Sequence, residues 1–297
     1  MILITGAAGK TGKAILRTLS EKGALVKAAV FHPEQIEEVE ALGAKEAVLG
    51  NMREADFIKR ALQGVNLVYH ICPNIHPDEV TIGRNMIDTA AAVGISHFVY
   101  HSVLHPQIEA MPHHWKKMRV EERLFESGLP FTILQPAVYM QNILANWEKI
   151  YQTGLYTVPY AVESRISMVD LEDIAQAAAI VLMDVSSKER QPLHNGATYE
   201  LAGTPGMSQT EVAATLSRQM GRPVGAKSVP VEAWEREARN SGLGDYQVNT
   251  LVKMFAYYEK YGFWGDSHVL SWILDRPPTS FEAFVKQAVG AREQFAQ

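Results

Sequence analysis

Along the first 130 residues, short and nearly continuous apolar runs alternate with stretches of helical period. Residues 2–5, 24–31, 47–49, 65–72 and 98–102 read as strands. A helical stretch follows the glycine-rich segment to about Lys22, and further helical periods cover 34–42, 55–62 and 78–93. Strands that are apolar at almost every position imply a parallel sheet covered on both faces. Right-handed crossovers then give a doubly wound α/β sheet of Rossmann type. Residues 113–127 predict a helix, with Pro112 suited to its start and Gly128 to its end, and 129–134 a further strand.

After Pro136 the texture changes. Tyr139, Gln141, Asn142, Asn146, Trp147 and Tyr151 crowd together and the strand-like pattern fades. The earlier style returns at 167–183, as an aspartate-capped helix from about Leu171. A capped helix at 208–220 and an aromatic segment at 246–272 follow. The expected organisation is a Rossmann domain at 1–135, rejoined by 165–195. A smaller, mostly helical C-terminal cap for substrate is expected at 136–164 and 196–297.

Composition narrows the class without changing this picture. A chain of 297 residues, 47% hydrophobic and 21% charged, is that of an ordinary globular protein. A net charge of −5 argues against a dedicated nucleic-acid binder, which would carry a basic patch. The longest apolar candidate, 174–183, falls short of the roughly 18 residues of a membrane span. Met1 to Ile4 already reads as the first strand, so no secretory signal is expected and the cytoplasm is the expected compartment. The single cysteine, Cys72, lies in an apolar run and reads as a small buried hydrophobe rather than a nucleophile.

The strongest chemical signal is Gly6-Ala7-Ala8-Gly9-Lys10-Thr11-Gly12, a GxxGxxG turn between the first strand and the first helix. Gly6 permits the tight turn, Gly9 lets backbone approach a pyrophosphate, and Gly12 lets the helix pack closely on the strand. The helix N-terminus then offers free N–H groups to phosphate. Gly6, Ala8, Gly9, Lys10, Thr11 and Gly12 are therefore candidate dinucleotide ligands.

This turn resembles the GATGxxG turn of the atypical short-chain dehydrogenases, and further segments align with one branch of them. Gly50-Asn51-Met52 resembles its GDL turn, and His97-Phe98-Val99-Tyr100-His101-Ser102-Val103 its HFVYSSV strand. Residues 136–142, PAVYMQN, are similar to PxxFMxN, and residues 166–175, ISMVDLEDIA, to ISxVDxxDIA. Together they resemble the NmrA-like family. That family includes NAD(P)H-dependent quinone and ketone reductases, and redox-sensing regulators that bind nucleotide without evident catalysis.

The resemblance implies specific roles. Asn51 and His32 join the expected cofactor contacts, and Tyr139 with Met140, Gln141 and Asn142 would cover nicotinamide and substrate. Phe31-His32-Pro33 stands where the family often has Arg-Asn-Pro. A carboxylate that would repel a 2′-phosphate is absent, and Lys10 and His32 offer positive charge, so NADP(H) is favoured slightly over NAD(H). Reductases of the superfamily use Tyr-x-x-x-Lys; here His113-x-x-x-Lys117 keeps the spacing but replaces phenol by imidazole. Lys117 would hold the nicotinamide ribose, and Ser102 would stand at the superfamily's catalytic serine. With an ordinary pKa of about 6.5, His113 (or an ordered water) would protonate the substrate oxygen.

Seven of the ten histidines fall between His70 and His114. The spacing His97-x-x-x-His101-x-x-x-His105 crosses a predicted strand, so these three would not share a face and no metal site is expected. His101 and His105 are expected near the substrate mouth, and Trp147, Tyr151, Tyr156 and Tyr160 as a flat wall for an aromatic acceptor. The expected function is NAD(P)H-dependent reduction of a small hydrophobic carbonyl, quinone or activated double bond. The alternative is a nucleotide-binding redox sensor acting on a regulatory protein partner; an epimerase or dehydratase shares the fold but lacks an evident second acid–base pair. Neither nucleic acid nor membrane is an expected partner, and a homodimer stays open.

Overall fold

In the computed structural model, which describes residues 1–295, strands and helices alternate as the apolar pattern predicts. In chain order the first half contains β1 (Ile2–Ile4), α1 (Lys10–Glu21), β2 (Val26–Val30), α2 (Gln35–Ala41), β3 (Glu46–Leu49) and α3 (Ala55–Leu62). It continues with β4 (Leu67–His70), α4 (Glu79–Val93), β5 (His97–His101), α5 (Pro112–Glu126) and β6 (Phe131–Pro136). The second half holds β7 (Val138–Tyr139), α6 (Trp147–Thr153), β8 (Leu155–Val158), β9 (Met168–Val169), α7 (Leu171–Val185) and β10 (Ala197–Leu201). Then come α8 (Gln209–Met220), β11 (Gly225–Ser228), α9 (Val231–Asn240), α10 (Asp245–Tyr261), α11 (His268–Leu274) and α12 (Phe281–Phe295).

The large sheet runs β10-β6-β5-β4-β1-β2-β3, and β1 to β6 pair in parallel. This is a Rossmann-type α/β fold. The strand order reverses beside β1, where α/β sheets open a crevice at their carboxyl ends. The five inner strands are buried at every residue. The two edge strands are more open: β3 keeps Glu46 and Leu49 exposed, and β10 keeps Thr198 exposed. On one face, Leu3, Val68, Phe98, Tyr100 and Ile133 pack with Phe57 and Ile58 of α3, Met86 and Ile87 of α4, and Val120 and Leu124 of α5. Period-two alternation turns Tyr69 and His101 to the other face.

The chain divides into two compact units. The first holds residues 1–109, 113–136 and 174–199; the second holds 110–112, 137–173 and the chain from Glu200 onward. In the second unit β7 pairs with β9 and β8 with β11. Its core joins Met140, Ile143, Trp147 and Ile150 to Val212 and Leu216 of α8 and Phe281, Phe284 and Val285 of α12. The N-terminus of α8 closes with a capping box between Ser208 and Glu211. Asp170 Oδ1 accepts from Glu172 N at 2.9 Å at the start of α7.

The expected aromatic wall is not an open surface. Trp147 belongs to the core, with Tyr151 and Tyr156 packed against it. The ring of Tyr160 lies 5.8 Å from Phe255 and 6.0 Å from Tyr258. Large rings bury much apolar area, which favours their packing into a core over standing open to an acceptor. Among the described residues no helix is long and apolar enough to cross a membrane.

Candidate functional site

The crevice begins where β1 ends. Thr5 is buried and ties β1 to the exit of β4: its Oγ1 lies 2.9 Å from His70 Nδ1, donates to Ile71 O at 3.0 Å and accepts from Ile71 N at 2.9 Å. Gly6 then takes φ +60°, the left-handed turn that glycine adopts without strain. Gly9 is the N-cap of α1, and its N–H donates to Gly6 O at 3.0 Å. The N-cap residue Gly9 carries no side chain, and the N-terminus of a helix is suited to an anion. A Cβ on Gly12 would sit 2.3 Å from Gly6 O and 2.7 Å from Ala7 Cα. Only glycine lets helix and turn approach so closely. Ala8 and Thr11 are half-buried along this turn, while Gly9 and Lys10 are exposed.

At the end of β2, Gln35 Oε1 accepts from the backbone N–H groups of Phe31 and His32, at 3.0 Å each. His32 is exposed, and Phe31 is 57% exposed with its ring edge-on to His32. Lys13 is committed to Glu38 at 2.7 Å. Asn51 follows β3, and its Oδ1 accepts from Arg53 N at 3.0 Å, fixing a turn.

On α5, His113, Lys117 and Glu121 follow one another at intervals of four and share one face. Lys117 Nζ donates to Glu79 Oε1 at 3.0 Å and to the His101 carbonyl at 3.3 Å. It also stands 5.4 Å from the centre of the Tyr100 ring. Ser102 does not present its hydroxyl to the crevice: the residue is buried and the hydroxyl donates to Glu121. Gln135 Nε2 donates to both oxygens of the same carboxylate, at 3.0 and 3.1 Å. Burial pushes the Glu121 carboxyl up from its ordinary value, against the pull of both donors.

His113 departs from the expectation of an ordinary imidazole. Burial, reinforced by the charge of Lys117, lowers its pKa to about 4. At neutral pH it is therefore the uncharged imidazole, and its Nδ1 is buried without a hydrogen-bond partner. Cys72 is buried, and burial, followed by the charge of Glu79, pushes its thiol well up. A thiol in that state is a poor nucleophile.

His101 does not line an opening either. It is buried and its Nδ1 lies 2.7 Å from the Tyr69 hydroxyl, with its pKa lowered to about 3, first by burial and then by Lys117. His105 is half-buried in a left-handed turn with φ +52°. Among the described residues no group of three or more side chains is arranged to hold a metal ion.

In the second unit, the 139–142 segment divides by side chain. Tyr139 is half-buried and pairs with Val169, while Met140 enters the core. Gln141 is engaged at both ends: its Nε2 donates to Asp170 Oδ1 at 2.7 Å and its Oε1 accepts from Leu171 N at 3.1 Å. Asn142 is exposed. Gln141 thus fastens the segment to the start of α7.

A family model for the NmrA-like family matches residues 1–285. The chain belongs to the NmrA-like family. An NAD(P)H azoreductase of Xenophilus azovorans is 28% identical over 293 residues, covering 98% of this chain and 99% of the relative. Quinone oxidoreductase 2 of Escherichia coli (strain K12) is 27% identical over 287 residues, covering 94% and 96%. A solved structure of the NADPH-dependent quinone oxidoreductase of Escherichia coli, complexed with NADPH, superposes with a TM-score of 0.83. It is 26% identical and covers 97% of this chain and 99% of that one.

Four side chains of this NmrA-like site were missed from the sequence: Glu79, Tyr100, Glu121 and Gln135. The i, i+4, i+8 series of His113, Lys117 and Glu121 was a usable signal for Glu121. Glu79 gave none, because an acidic residue in the first turn of a helix is ordinary.

Proposed function

We propose that this protein is an NAD(P)H-dependent reductase acting on small hydrophobic acceptors whose reduced forms are stabilised anions, quinones and activated double bonds above all. The nucleotide reading rests on the first turn of α1. The N-terminus of α1 and the Gly6–Gly12 backbone fit a pyrophosphate, with Ala8, Gly9, Lys10 and Thr11 at its edge. Asn51 and Tyr139 are assigned secondary cofactor contacts, and Lys117 the nicotinamide ribose. The end of β2 carries no carboxylate; His32 is exposed there, and Lys10 is exposed at the turn. That supports NADP(H) over NAD(H). The 26% identical Escherichia coli structure, named as an NADPH-dependent quinone oxidoreductase complexed with NADPH, supports the same preference.

When bound, a dihydronicotinamide supplies a hydride. What this chain decides is the source of the accompanying proton. His113, with a pKa of about 4, carries no acidic proton to give at neutral pH. Its role is that of a neutral hydrogen-bond partner, and Ser102 serves by holding α5 through Glu121. A simple ketone yields a strongly basic alkoxide that needs a positioned acid. A quinone or an enone yields a delocalised anion that water protonates without help. The single observation carrying this choice of acceptor is the neutral imidazole beside Lys117.

The test is NADPH consumption at pH 7 with a quinone, an enone and an unactivated ketone. Consumption with the first two and none with the third is expected. Turnover favouring the simple ketone overturns the proton argument. Saturable NADPH binding with no turnover on any acceptor replaces the reductase reading with that of a nucleotide-binding regulator, which the loss of a charged acid at position 113 favours. Weaker binding of NADPH than of NADH overturns the cofactor preference.

A further inference from the structure

On the α4–α5 side of the sheet one carboxylate gathers donors from three other elements or their exits. Glu79, 3% exposed, stands in the first turn of α4. Its Oε1 accepts from Lys117 Nζ of α5 and from the Tyr100 hydroxyl of β5, each at 3.0 Å. The Cys72 thiol, just beyond β4, also donates to it. Burial alone would raise the Glu79 carboxyl, but the charge of Lys117 and these hydrogen bonds together hold it below its ordinary value. The group is a buried carboxylate, and Lys117 is its counter-charge.

That arrangement constrains Lys117 more than a surface ion pair would. An ammonium has three N–H donors. One points at Glu79 and a second at the His101 carbonyl, which fixes the direction of the third. The Tyr100 ring below the ammonium closes off another orientation. A flexible four-carbon stem is thereby held to one geometry without any ligand.

We propose that Glu79 is a positioning residue: it fixes the Lys117 ammonium so that its remaining N–H meets the nicotinamide ribose. This rests on the reading of Lys117 as the ribose contact. Glu79 acts through the lysine and touches neither nucleotide nor acceptor. Replacing Lys117 alone therefore removes a ligand contact and strands a buried carboxylate together, so its effect on turnover mixes two causes.

The experiment is a double-mutant cycle in NADPH affinity, read by dihydronicotinamide fluorescence on the whole protein, with thermal midpoints of the same samples. Glu79→Gln is expected to weaken NADPH binding about tenfold, the scale of one hydrogen bond to a charged group. Lys117→Met is expected to weaken it at least as much. The double variant should bind no worse than Lys117→Met alone, because Glu79 has nothing left to position. It should also melt above Lys117→Met, because the stranded charge is gone. Additive losses in affinity overturn the proposal. So does an unchanged affinity in Glu79→Gln while Lys117→Met binds poorly. If Lys117→Met binds NADPH as tightly as wild type, the ribose reading itself fails. Should Glu79→Gln not fold, Glu79→Asp keeps the charge but draws it back by one methylene. Unchanged NADPH affinity in that variant overturns the proposal; a partial loss, restored by no change in buffer salt, supports it.

Discussion

The turn between β1 and α1 and the polar layer between α4 and α5 prepare a site by opposite means. The turn works by leaving side chains out: its donors are backbone N–H groups, and Gly12 has no room for a Cβ. The layer works by burying side chains that water would otherwise hold, among them Glu79, Glu121 and Lys117. The first fails when an atom is added. The second fails when a charge loses its partner or when a proton arrives. Geometry rules one region and electrostatics the other, so pH and substitution should separate them.

Acid separates them most strongly. His70, His97 and His113 are held near pKa 4 by burial, reinforced or opposed by nearby charges, and His101 near 3. These are bases whose folded pKa is depressed, so their stabilisation is complete above the ordinary value of about 6.5 and is lost as pH falls toward 4. In that window each takes up a proton on unfolding, at roughly 1.4 kcal/mol per pH unit as an upper figure. The thermal midpoint should drop steeply between pH 6.5 and pH 4, and less steeply in His97→Gln. A flat midpoint across that range breaks the electrostatic half of the comparison. Glu79, held low by Lys117 and its hydrogen bonds, adds its own loss only at still lower pH.

Gly12→Ala tests the geometric half. Its new methyl would meet Gly6 O at 2.3 Å, and overpacking of this kind costs about 1–3 kcal/mol. Urea unfolding should show that loss with little change in its pH dependence. A variant as stable as wild type would mean the turn yields more than its contacts suggest.

Ser102→Ala removes one donor to Glu121 while Gln135 keeps both of its bonds. The expected loss is about 1 kcal/mol, with NADPH consumption largely retained because Ser102 holds α5 rather than the acceptor. A drop in kcat far beyond the loss in stability would return Ser102 to a direct role. Lys13→Ala breaks only an exposed pair with Glu38. It should change stability least, by no more than about 0.5 kcal/mol in urea unfolding.

The two regions also differ in how far the sequence disclosed them. The turn is local: strand, glycines and helix follow within a dozen residues, so spacing alone carries its geometry. The strands β1 to β6 were legible for the same reason, being short apolar runs between turn signals. The polar layer joins Glu79, Tyr100, Lys117 and Gln135 across long sequence separations, and no periodicity links them. Nor does sequence disclose burial of a histidine, which is why His113 reads as an ordinary acid there and as a neutral base here. In the second half β10 and α9 are absent from the sequence-based expectation: β10 is mostly half-buried without clean alternation, and α9 buries only Ala238 of its ten residues.

The central claim is hydride delivery from a nicotinamide to an activated acceptor, and isotope transfer tests it most directly. With an enone acceptor and NADPH deuterated on the transferred face of the nicotinamide ring, the label should arrive on carbon. The reduced product should then gain one mass unit by mass spectrometry, and that gain should vanish when the deuterium is moved to the opposite face of the same ring carbon. Reduced product without label, or no product despite bound NADPH, would contradict the account.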